Sequence, residues 1–189
     1  MDQGVVVAVG HTDASYDQAA EAFDRGASLL THAFNAMPGL GHRAPGPVGA
    51  ALSREHVAIE VIADGNHVHP VMVRTLFDAA ASRVVLVTDA MSATGLGNGR
   101  YSLGGLDVDV NEGQSTLSGT DTLAGSTLTM AHAVQVATAA GVPAELALRA
   151  ATDTPARVLG LPLAADIELG TSLAGLNCFR DGEPNAFHA

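Results

Sequence analysis

Four short apolar runs, spaced through the first half of the chain, limit it to one broad architecture. Val5–Gly10 is continuous and mostly β-branched, which reads as a strand buried on both faces. Ser28–Ala33, Val57–Ala63 and Val84–Val87 read as three more strands. Between them lie helical stretches. Ser15–Gly26 carries Ala19, Ala20, Ala22 and Phe23 at helical spacing and stops on Gly26. Pro70–Ala81 begins with proline, as first helical turns often do. Met37–Gly49, rich in Gly and Pro, reads as a long ordered loop. The order β-α-β-loop-β-α-β predicts a parallel α/β sheet.

The pattern then changes. Tyr101–Leu117 has Gly-rich turns and short alternating segments, which predict a hairpin or small β excursion. Helices are predicted over Thr127–Ala140, Ala144–Ala151 and Thr154–Leu159, and from Leu161 the pattern weakens. A full eight-unit (β/α) barrel takes ~250 residues. At 189 residues, this chain suits an open α/β sheet or the second half of a barrel.

The chemistry-bearing residues stand where strands end. His11 follows the first strand, His32 closes the second and Asp89 follows the fourth. Neutral imidazoles on neighbouring strand ends can share one zinc or iron ion. A carboxylate beside such an ion can take a proton from water. Two matching histidines favour function over ordinary strand-end polar residues. Asp89 alone reads equally well as a turn or cap aspartate. Arg43, in the Gly- and Pro-rich Gly41–Pro47 loop, is equally a clamp for phosphate or carboxylate and a solvated loop residue. In Asp64-Gly65-Asn66-His67-Val68-His69, His67 reads as ligand or turn residue, and His69 as a helix cap. Leu123-Ala124-Gly125-Ser126-Thr127 reads as a helix opening. Its N–H groups can face a polar ligand, with Ser126 or Thr127 as cap. His42, His56, His132 and His188 have no such placement.

Composition narrows the partners. Nine Lys+Arg against 20 Asp+Glu give a formal charge of −11, and no basic-aromatic patch offers a nucleic-acid surface. The single cysteine, Cys178, fits a reducing compartment. No apolar run approaches the ~20 residues of a membrane span, and Met1–Gly4 lacks a basic signal region. The expectation is a cytoplasmic protein without nucleic-acid or membrane partners.

Six ordered segments resemble the N-acetylglucosamine-6-phosphate deacetylase family of the amidohydrolase superfamily. They are Gly10–Thr12, Thr31–Met37, Arg43–Gly46, Ile62–Val68, Val87–Ala90 and Leu123–Met130, within a match from about Val5 to Leu161. The resemblance implies a TIM-like (β/α)8 metal-dependent hydrolase barrel, present here as its C-terminal half with part of a small appended β domain. Residues 1–99 would hold barrel strands five to eight, 100–118 the β excursion of the appended domain, and 119–161 closing barrel helices. Residues 162–189 would be a truncated or divergent tail, with Ile167–Thr171 keeping a trace of the family. The same resemblance implies His11 and His32 as metal ligands for zinc or iron and Asp89 as the catalytic acid–base. It implies Asn35, Ala36, Arg43, Asp64, Gly65, Asn66, His67, Leu123, Ala124 and Gly125 as substrate-binding residues, with Arg43 and His67 reaching a neighbouring subunit's phosphate in a homodimer. The family's Glu-Gly-Pro segment, which supplies an acidic metal ligand, has no match in this sequence. The expected activity is deacetylation of the phosphorylated amino sugar. The alternatives are an inactive sugar-phosphate-binding or interaction fragment, and a related amidohydrolase acting on another amide.

Overall fold

Four parallel strands form one sheet in sequential order: β1 (Ala8–Val9), β2 (Leu29–Leu30), β3 (Ala58–Ile62) and β4 (Val84–Val87). This computed structural model describes residues 4–162, 178–180 and 183–185. Helices α1 (Tyr16–Asp24), α2 (Gly46–Leu52) and α3 (Pro70–Ala80) make the crossovers. Parallel neighbours need such returns, and the connections bury Phe23, Val48, Val73, Leu76 and Phe77 with Ile59, Val61, Val84 and Leu86 in one core. Every crossover returns its chain to the same end of the sheet, so the C-terminal ends of the strands share one face.

The first two strands are shorter than predicted. His11 and His32 have φ of 44° and 29° and break the extended backbone. Val5, Val6 and Val7 are exposed, because β1 has a sheet neighbour on one side only among the described residues.

The loop expected over Met37–Gly49 is partly helical. Gly46–Leu52 forms α2, with Pro47 in its first turn and Val48, Ala50 and Ala51 buried. The Gly-Pro composition that reads as loop is also that of a helix start, where proline loses no needed N–H. At the far end of α2, Arg83 donates to the carbonyls of Ala51, Leu52, Arg54 and Val57. One guanidinium thus gathers four carbonyls from the last residues of α2 and the turn beyond it, of which Ala51 and Arg54 also accept the backbone N–H groups of Arg54 and Val57.

The β excursion is a three-stranded antiparallel meander, β5 (Gly99–Leu103), β6 (Leu106–Asn111) and β7 (Gln114–Leu117). Its two-residue turns, Gly104-Gly105 and Glu112-Gly113, have positive φ at every central residue, as tight hairpins require. Val108 and Val110 pack with Met91, Ala93 and Ala124 in a small second core. Helices α4 (Met130–Ala139), α5 (Ala144–Ala151) and α6 (Asp153–Val158) follow.

The helix predicted from Thr127 begins at Met130, where the Thr129 side chain accepts the His132 N–H. Residues 123–126 bridge two strand systems instead: Leu123 pairs with Thr116, and Ser126 pairs in parallel with Ala90. Of the predicted tail, only a short antiparallel pair is described, β8 (Cys178–Arg180) and β9 (Glu183–Asn185). The Ile167–Thr171 trace and His188 lie outside the described residues.

Candidate metal and substrate site

His11 and His32 leave adjacent parallel strands, so their side chains can meet above the strand ends. They do: Nε2 of one lies 2.9 Å from Nε2 of the other. The rings meet edge to face, with centroids 4.7 Å apart. His32 is buried and its Nδ1 has no hydrogen-bond partner among the described residues, whereas His11 is exposed. Two ring nitrogens bound tetrahedrally to one zinc at about 2.0–2.1 Å each lie about 3.3–3.4 Å apart, within a small side-chain adjustment of this separation. The pair therefore fits a divalent ion by chemistry and by spacing. Among the described residues no three of His, Cys, Asp or Glu converge as a complete metal-holding group. Asp89 and Glu60 do not complete a third ligand position.

Asp89 stands at the corresponding end of β4 with φ of 49°. Its backbone is fastened by a residue that sequence reasoning treated only as a cap. Buried Ser126 donates its N–H to the Asp89 carbonyl (2.7 Å) and its hydroxyl to the Thr88 carbonyl, while its own carbonyl accepts the Met91 N–H (2.9 Å). Gly125, at φ 59°, approaches so closely that a Cβ would stand 3.2 Å from the Asp89 carbonyl oxygen. The Ala124 and Ser126 N–H groups are spent on Ser115 and Asp89. The helix opening predicted at Leu123–Thr127 is thereby corrected: the helix starts later, and two of these N–H groups are already engaged. These residues abut the end of β4 through a strand-like bridge.

The turn after His32 folds back on the first strand. Thr12 donates its N–H to the Ala36 carbonyl at 3.0 Å. The Asn35 side-chain amide donates to the His32 and Ala33 carbonyls. A cavity of about 640 Å³ opens beside this turn, lined by His11, Thr12, Asp13, Ala36, Met37 and Pro38. Asp13 is a cavity residue the motif reading passed over; its position two residues after His11 was the available signal. Arg43 is exposed and contacts His42 (2.8 Å). It is not brought against the histidine pair or into the cavity lining.

Asp64, Asn66 and His67 form a separate unit beyond β3. One Asp64 oxygen accepts the N–H groups of Asn66 and His67, each at 2.8 Å, and the other lies 2.7 Å from His67 Nδ1. Gly65 supplies the positive φ (79°) of this turn. Burial pushes the Asp64 carboxyl up, but the His67 side chain and the two backbone donors outweigh it and hold it below the usual aspartate range. His69 caps α3, accepting the Val71 N–H, as its place before Pro70 suggested.

Comparison with known proteins places the chain in a family. A sequence model described as the amidohydrolase family matches residues 1–172. An N-acetylglucosamine-6-phosphate deacetylase of Vibrio furnissii is 43% identical over 159 residues, covering 84% of this chain and 40% of that protein. An N-acetylgalactosamine-6-phosphate deacetylase of Escherichia coli O157:H7 is 45% identical over 161 residues, covering 84% and 42%. Among solved structures, a mutant N-acetyl-D-glucosamine-6-phosphate deacetylase from Mycobacterium smegmatis, in complex with N-acetyl-D-glucosamine-6-phosphate, superposes with a TM-score of 0.81. It is 47% identical and is matched over 85% of this chain and 44% of that one. The chain spans about two fifths of the length of the curated relatives it matches.

Proposed function

This chain belongs to the amidohydrolase family, and on that premise we propose that it carries the metal-binding and proton-transfer half of an amino-sugar-phosphate deacetylase site. The observation that carries the proposal is the convergence of His11 and His32 at 2.9 Å, with Asp89 presented on the same end of the sheet. The substrate class is an N-acetylhexosamine 6-phosphate, N-acetylglucosamine 6-phosphate first. The products are the free amine and acetate. The relatives named for the gluco and galacto sugars are similarly close, so the epimer is a question for assay.

In this reading His11 and His32 hold a divalent ion, zinc or iron, through Nε2. Such an ion, when bound, polarises the amide carbonyl and makes water more acidic. Asp89 accepts the proton of the attacking water at a carboxylate oxygen and returns it to the departing amine nitrogen. Ser126 and Gly125 keep Asp89 aimed by fixing its backbone. Asn35 and Ala36 border the sugar, and the Asp64–His67 turn with Arg43 engages the phosphate. Arg43 is exposed and stands apart from the histidine pair, which suits a phosphate contact made to a second copy in a homodimer.

The deciding experiment is acetate release from N-acetylglucosamine 6-phosphate, and in parallel from the galacto epimer, with zinc or ferrous iron supplied. Turnover that Asp89→Asn abolishes supports the reading. No turnover with either ion rejects hydrolysis by this chain. The described residues supply two imidazoles and no third ligand. That observation favours, as second reading, a sugar-phosphate binder without turnover, and saturable binding of the substrate without acetate release identifies it.

A further inference from the structure

Glu60 is the one charged residue within the four parallel strands, flanked by buried Ile59 and Val61. A half-buried carboxylate on such a strand costs desolvation free energy unless it has partners. Burial pushes its pKa upward. Among the described residues it forms no ion pair, and the mechanism above does not use it. Its partner is the backbone N–H of His32, which it accepts through Oε2 at 3.3 Å.

That contact answers an irregularity in the ladder between β2 and β3. Leu29 pairs with Ala58, and Leu30 with Ile59. The Ala58 N–H goes to the Ser28 carbonyl. Continued in this register, the parallel ladder would send the His32 N–H to the Glu60 carbonyl. It does not. The Glu60 carbonyl takes the N–H of Ala33 instead, at 2.8 Å. One extra residue, His32, is bulged out of the ladder with φ of 29°. Bulges re-aim side chains, and here the bulge turns the imidazole toward His11. It also orphans a buried N–H, a costly group to leave unmet. The Glu60 carboxylate meets it. Successive N–H groups of the bulge thus land on the side chain and the carbonyl of one residue.

We propose that Glu60 is the positioning residue of the histidine pair: its carboxylate satisfies the N–H freed by the bulge and so holds His32 Nε2 in line with His11 Nε2. The part of this inference that concerns ion binding rests on the reading of the pair as metal ligands. The hydrogen bond itself does not depend on it. The role requires an acceptor at this position, not a charge. Glu60→Gln keeps the acceptor, and Glu60→Met removes it while retaining length and apolar fit.

Two readouts test this on the whole chain. The first is amide hydrogen exchange of His32 without metal. Protection in the wild type, kept in Glu60→Gln and reduced at least about tenfold in Glu60→Met, supports the proposal. An unprotected wild-type His32, or protection retained in Glu60→Met, overturns it. The second is zinc affinity by competition with a chromophoric chelator. A loss of about 10–100-fold in Glu60→Met, with Glu60→Gln close to wild type, supports positioning. A loss in Glu60→Gln equal to that in Glu60→Met overturns it, since charge and not the acceptor would then matter. If Glu60→Met does not fold, the wild-type and Glu60→Gln arms still decide. A wild-type chain that binds no zinc rejects the metal reading, and the exchange arm then decides the positioning role by itself.

Discussion

Asp64→Asn replaces one atom in the turn beyond β3, and its consequences follow from three distances. The wild-type carboxylate receives two backbone N–H groups at 2.8 Å and faces His67 Nδ1 at 2.7 Å. The two side chains are only 9% and 7% exposed, so water is a poor substitute. Asparagine keeps an oxygen for the backbone donors but sets an N–H₂ against His67 Nδ1. The imidazole must then move or exchange its Nδ1–H tautomer for the Nε2–H form. Net hydrogen bonds to charged groups stabilise by about 1.5–3 kcal/mol. Losing one, and reducing two others to neutral strength, predicts a destabilisation of about 2–3 kcal/mol at pH 7. The pH dependence has a definite sign. Asp64 is held below the usual aspartate range, so its contribution is complete above about pH 4 and is lost as pH falls through the folded value. Urea unfolding of both chains at pH 7, 5 and 3 measures it, and ¹⁵N shifts of the His67 ring report the tautomer. A difference below about 0.5 kcal/mol at pH 7, or one that grows toward pH 3, would refute the reasoning.

Arg83→Met removes a donor shared by four carbonyls, of which Ala51 and Arg54 keep a backbone partner, and should cost about 1–3 kcal/mol in urea unfolding. Because Arg83 lies at the N-terminal end of β4, opposite Asp89, zinc affinity should be unchanged. Gly10→Ala places a Cβ 2.7 Å from the Thr31 Cβ, beside both histidines. It should cost about 1–3 kcal/mol by overpacking and weaken zinc binding, read by the same chelator competition. Val6→Lys, in the exposed Val5–Val7 run along the open edge of β1, should lower self-association in light scattering, since a charge blunts an unpaired sheet edge.

The strand-helix alternation was legible because buried parallel strands and their crossovers carry strong local patterns. The four strands fall where apolar runs stand, and the relation to amidohydrolases rested on ordered segments the comparison bears out. Helix α2 was hidden because Pro45-Gly46-Pro47 reads as loop and helix start alike. The start of α4 was placed three residues early because Ser126 suits a cap, whereas tertiary pairing with Ala90 recruits it to the sheet. Strand ends flagged His11, His32 and Asp89, but Glu60 was invisible in the sequence. Its meaning depends on a one-residue bulge, and no local pattern announces a register change between segments nearly thirty residues apart.

His11, His32 and Asp89, the three residues read as carrying chemistry, all sit in left-handed backbone. For side chains like these that conformation costs of order 1–3 kcal/mol each, and glycine would adopt it freely. Glycine at any of the three would relieve the backbone while removing the side chain read as chemical. At His11 and Asp89, both exposed, little packing opposes such a change, whereas glycine at buried His32 would leave a void beneath the strand ends. The strand ends thus hold side chains where bare backbone would be less strained, and His11→Gly or Asp89→Gly should leave thermal stability unchanged or raised.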